Sequence, residues 1–244
     1  MIRVILEGVI KRHGRVTAVD RASLEVGPGE LLFVVGPSGA GKTSLARLIA
    51  GLDPIDDGEI YFDDKLVQSV PAGKRQVGLI AGDGALWPGM TGAENVAYPL
   101  RARKLSKASG HERVRELLNL FRIDTLSDRT PDQLTPIQSL RAAMARALIS
   151  QPELLIFDEP LKALDAAALE EFRGDLRTVQ AGYSPTIMIL TRDVQGSLSL
   201  ADRIAVMDLG RIVQIGTPHD LYNRPSDVFV ARFLGPVNLL QGQI

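Results

Sequence analysis

The sequence predicts an α/β fold with a mainly parallel sheet, an antiparallel β layer and an inserted helical stretch. Three observations carry this. Strand-length apolar runs alternate with helical periodicity in the second half of the chain, short strands divided by Gly, Pro and Asp turns fill much of residues 1–80, and the segment between is mostly helical. In chain order, residues 2–9, 23–26, 59–62 and 77–80 read as the antiparallel layer. Leu31–Val35 is a buried strand that passes through a Gly-rich turn into 43–50, whose apolar spacing is helical. From about 92 to 150 helices dominate, with 113–121 and 139–150 the clearest amphipathic runs. Residues 154–157 are apolar on both faces, as a central parallel strand requires, and stop at Asp158-Glu159-Pro160. Strands at 186–190 and 203–207 follow helical stretches at 165–180 and 193–201.

Composition narrows the function. With 244 residues, 28 Lys+Arg against 29 Asp+Glu and 45% hydrophobic content, the chain can bury a core without staples and carries no basic footprint for nucleic acid. It has no cysteine, which removes disulfides, a thiol nucleophile and thiolate-bound zinc. Its three histidines, at 13, 111 and 219, are too scattered for a metal cage. No apolar run approaches the ~20 residues of a membrane span, and the start lacks the pattern of a secretory signal.

Gly36-Pro37-Ser38-Gly39-Ala40-Gly41-Lys42-Thr43 has the spacing of a phosphate-binding loop and lies between a predicted strand and a predicted helix, the context that loop needs. Glycines let successive N–H groups face a phosphate, the helix N-terminus adds positive charge, Lys42 supplies an ammonium, and the Thr43 hydroxyl can ligate Mg²⁺. Asp158, at the end of a buried strand, is placed to hold the metal's waters. Glu159 beside it can orient or deprotonate a water for attack on a γ-phosphate.

The run of motifs resembles the ATP-binding subunit of an ABC transporter along nearly the whole chain. After the phosphate loop come 85–91 with Glu94-Asn95, then Gln138 with 141–148, then 155–160, Ala163-Leu164-Asp165 and 201–207. The ending 210–218, followed by 229–235, resembles the importer branch that serves sugars, polyamines, iron or oxyanions. The resemblance implies a P-loop NTPase core within an ATP-binding domain over 1–234, a helical subdomain at about 85–150, and at 235–244 the start of a truncated or absent regulatory β-domain. It implies ATP and Mg²⁺ as cofactors, Ser44 within the loop site, and transmembrane permease subunits as partners at the cytoplasmic face of the plasma membrane. It also implies a head-to-tail homodimer or a heterodimer with a second ATP-binding subunit. Trp87 then lies near the permease-docking groove or is a partly buried core aromatic.

Four positions depart from the family pattern. The metal-linking glutamine is Gly82, with Asp83 beside it as a poor substitute. The signature Leu-Ser-Gly-Gly-Gln is Leu134-Thr135-Pro136-Ile137-Gln138: Thr135 keeps a hydroxyl and Gln138 is retained, Pro136 removes an N–H, and Ile137 sets a β-branched side chain where a partner's γ-phosphate would approach. The switch histidine is Arg192, which either contacts a γ-phosphate or pairs with Asp193 or Asp202. The adenine-stacking aromatic aligns with His13. The chain therefore reads as an importer ATPase with weakened hydrolysis, or as a hydrolysis-poor partner within a heterodimer. A soluble ATPase of DNA repair or translation fits the 210–235 segment less well.

Overall fold

The computed structural model describes residues 1–82, 84–102 and 107–238. Asp83 and residues 239–244 of the expected 235–244 segment lie outside it. The strands are β1 (Val4–His13), β2 (Val16–Val26), β3 (Leu31–Val35), β4 (Asp57–Phe62), β5 (Lys65–Leu66), β6 (Val77–Ala81), β7 (Leu154–Asp158), β8 (Thr186–Thr191), β9 (Arg203–Asp208) and β10 (Arg211–Gly216). The helices are α1 (Lys42–Ala50), α2 (Gly92–Ala102), α3 (Lys107–Leu120), α4 (Pro136–Leu148), α5 (Ala166–Tyr183), α6 (Val194–Leu198), α7 (Pro218–Asn223) and α8 (Val228–Leu234).

Two sheets form. One is antiparallel in the order β2-β1-β4-β5; the other runs β10-β9-β3-β8-β7-β6 and is parallel except for β10. The expected antiparallel layer is therefore right for three of its four members and wrong for 77–80. That segment is β6, paired in parallel with β7 from Val77 opposite Leu154 to Ala81 opposite Asp158. An edge strand is covered unequally on its two faces, so β6 alternates buried with half-buried residues and locally imitates a half-exposed antiparallel strand.

Successive side chains of a strand point to opposite faces, and here each face has its own core. Phe33, Val35, Leu155, Phe157, Ile187 and Ile189 pack with α3, α4 and α5. Leu32, Val34, Leu154, Ile156, Met188 and Leu190 pack against α1 and the antiparallel sheet. Burial on both sides fixes the register, because a slip by one residue would exchange the two sets. The register brings Val35 beside Thr191 and Asp158 beside Leu190, so the loops after β3, β7 and β8 leave the same edge. Ligands of such sheets bind at these carboxyl ends. Among the described residues no helix is long and apolar enough to cross a membrane.

Candidate functional site

The loop from Gly36 to Gly41 joins β3 to α1 under tight steric control. A Cβ at Gly36 would overlap the carbonyl oxygen of Met207, and one at Gly41 would overlap that of Ala18; Gly41 also holds φ at 103°. Gly41 caps α1 without any side-chain hydrogen bond. The first N–H groups of the helix are thus left for a ligand.

Lys42 is 5% exposed and bends back over the loop, donating to the carbonyls of Gly36 at 2.8 Å and Pro37 at 3.1 Å. Its ammonium lies 3.2 Å from Glu159 Oε1. Thr43 Oγ1 donates to Asp158 Oδ1 at 3.1 Å. Burial pushes the Asp158 carboxyl above the usual range, with the Thr43 hydrogen bond opposing. Ser44 Oγ sits 3.4 Å from His13 Nε2, which brings the end of β1 to the head of α1.

Glu159 is held in the left-handed region at φ 57°, and its N–H donates to Leu190 O at 2.7 Å. Its carboxylate accepts from the Arg192 N–H at 3.2 Å and lies 3.9 Å from Arg192 Nε. Neither surface partner proposed for Arg192 is used. Asp193 instead caps α6 by accepting from Gly196 N, and Asp202 accepts from Leu31 N. Arg192 faces a cleft of about 430 Å³ that it shares with Ser38, Gly39, Lys42, Glu159 and Lys162. Lys162 belongs to no motif, and only the fold brings it here.

Thr135 and Gln138 lie elsewhere, at the head of α4, where they satisfy each other. Thr135 Oγ1 accepts from Gln138 N, and Gln138 Oε1 accepts from Thr135 N at 2.9 Å. Pro136 occupies the first helical position, where its missing N–H and fixed φ are well tolerated. Ile137 corrects the sequence reading: it is 9% exposed and turns into the core with Leu140 and Met144, so its side chain does not project from the helix tip. Apolar residues one helical turn apart share a face, and the Ile137 position falls on the inward one.

Gly82 is packed so closely that a Cβ would overlap the carbonyl oxygen of Glu159. Just beyond it, Arg146 donates to the carbonyls of Gly84 and Ala85, both at 2.8 Å. The Arg146 guanidinium lies 4.6 Å from the centroid of Trp87, whose ring packs at a 35° tilt against Tyr98 with centroids 4.2 Å apart. Trp87 is 39% exposed and lines a second groove, about 510 Å³, with Val77, Pro99 and Arg146.

Among the described residues no cluster of three or more His, Asp or Glu could cage a metal. The pair Thr43 and Asp158 still suits Mg²⁺, which keeps several waters and takes one or two protein oxygens beside those of a phosphate.

The ABC transporter family profile matches residues 19–162. The glucose import ATP-binding protein GlcV of Saccharolobus solfataricus is 38% identical over all of this chain and 71% of its own length. The spermidine/putrescine import ATP-binding protein PotA of Treponema pallidum is 42% identical over 96% of this chain and 62% of its own length, so the chain spans roughly two thirds of such relatives. Among solved structures, the dimeric post-hydrolysis state of the ATP-binding cassette MJ0796, bound to ADP and Pi, superposes with a TM-score of 0.79 at 26% identity. It covers 88% of this chain and 98% of its own. On these grounds the chain belongs to the ABC transporter family, as an ATP-binding cassette whose relatives are named for import.

Proposed function

We propose that this chain binds ATP with Mg²⁺ in the Lys42 cleft and hydrolyses it slowly to energise a membrane importer. One observation carries the reading: Lys42 and Thr43, at the head of α1, face Glu159 and Asp158, at the end of β7, within 3.2 Å.

The N–H groups of Ser38, Gly39 and 41–44 cradle the phosphates, and Lys42 exchanges its loop carbonyls and Glu159 for phosphate oxygens. Thr43 and Asp158 would hold Mg²⁺, which would offset phosphate charge. Glu159, released from Lys42, faces the attacking water as its base or orienting group. Arg192 stands where it reaches both Glu159 and the terminal phosphate, and His13 stacks beside the adenine near Ser44. Thr135 and Gln138 face the nucleotide of a second ATP-binding subunit, whether a copy or a paralogue. Residues 1–234 form the ATP-binding domain with its helical subdomain at about 85–150. A permease segment docks in the Trp87 groove, holding the chain at the cytoplasmic face of the membrane.

A second reading, a hydrolysis-poor partner in a heterodimer, is favoured by one feature. The self-capped Thr135–Gln138 turn has little left to offer another subunit's phosphate. Both readings require nucleotide binding, which calorimetric titration with ATP and Mg²⁺ tests. The parent should bind, and Lys42→Ala should weaken binding by about 100-fold or more. Equal affinity in both proteins would refute the site.

A further inference from the structure

We propose that Lys162 is a phosphate-binding residue of the cleft, supplying from within the same chain positive charge for the terminal phosphate of a nucleoside triphosphate. The inference rests on the reading of the cleft as an ATP site and adds a contact to it.

Lys162 follows the β7 turn, and its N–H donates to Glu159 O at 3.4 Å, so its backbone is tied to the residue that meets Lys42 and Arg192. Lys162 lines the same cleft as those three residues. The other two cations share one carboxylate: Glu159 lies 3.2 Å from Lys42 and 3.9 Å from Arg192. Among the described residues Lys162 has no ion pair. An exposed lysine without an ion pair, lining a cleft that already holds two cations, repels them unless an anion enters. Three cations, Lys42, Lys162 and Arg192, line the cleft with the single carboxylate Glu159, which leaves it with excess positive charge.

The head of α4 shows why such charge is useful. There Pro136 lacks an N–H, and the Thr135 hydroxyl is occupied by Gln138 N, so a neighbouring copy brings few donors to the terminal phosphate. Lys162 and Arg192 add charge in cis where donors in trans are missing. The ammonium needs no particular geometry to act, since lysine binds phosphate as a point charge.

The test compares ADP with a non-hydrolysable ATP analogue, both with Mg²⁺, on the parent, Lys162→Ala and Lys162→Arg. Lys162 is exposed, so these variants should fold with unchanged melting temperature. The proposal expects Lys162→Ala to weaken the triphosphate analogue by about five- to tenfold while ADP affinity moves by less than about twofold, and Lys162→Arg to restore most of the loss. Equal weakening of both nucleotides would mean general attraction and overturn the proposal, as would no change in either. If the parent bound neither nucleotide, the ATP site itself would fail, an outcome distinct from parental binding that Lys162→Ala leaves intact.

Discussion

Helices α1 and α4 both start after a turn, and the sequence reading assigns a phosphate-facing motif to each head, yet their first N–H groups are treated in opposite ways. Gly41 caps α1 with no side-chain acceptor. Thr135 and Gln138 close a reciprocal capping box on α4, and Pro136 removes a further donor. A side-chain cap stabilises a helix by about 1 kcal/mol because it satisfies an unpaired first-turn N–H, and that donor is then no longer free for an anion. A helix head therefore serves its own stability or a ligand, and seldom both. The head of α1 forgoes the cap, and its stability comes from the buried face of Leu45, Ala46, Leu48 and Ile49. The head of α4 has settled for the cap.

If α1 and its facing carboxylates form the working half of the site, the largest effect of a small change should come there. Glu159→Gln preserves shape and removes the base, so ATP turnover should fall by about 10²-fold or more while nucleotide affinity changes little. Turnover equal to the parent's would place the chemistry elsewhere.

A smaller effect should come from repairing α4. Pro136→Ala returns one N–H to the helix head without disturbing the inward face of Ile137, and turnover by the self-associated chain should rise about tenfold. No gain would mean that the missing donor is not what limits the second half of the site.

The smallest effect separates capping from binding. Thr135→Ala removes the acceptor for Gln138 N and should cost about 1 kcal/mol, or roughly 2–4 °C in melting temperature, without altering nucleotide affinity in the chain's own cleft. A change in affinity would mean that the two halves are coupled within one chain.

What was legible in the sequence differs between these regions for a physical reason. The Gly36–Thr43 loop and Asp158-Glu159 are local: glycine placement, a strand before and a helix after are all written in adjacent residues, and the structure has them as read. The sheet partner of β6 is not local, since alternation along five residues says which face is buried but not which strand lies alongside. The inward turn of Ile137 depends on how α4 is rotated on the core, and a motif alignment carries no rotation. The partner of Arg192 stands 33 positions away at Glu159, while the adjacent Asp193 and the nearby Asp202 are committed to a helix cap and a strand N–H. Lys162 has no signal of its own at all; a turn lysine is ordinary until β7 and β8 bring it to the cleft.

If an uncapped α1 head and a self-capped α4 head coexist in one chain, that chain should bind ATP well and turn it over poorly by itself. The most direct measurement is steady-state turnover of the purified chain at saturating ATP and Mg²⁺, with binding established on the same preparation. Tight binding with turnover below about 0.1 s⁻¹ is the expected result, and turnover within the ordinary enzyme range of ~1–10³ s⁻¹ would contradict it.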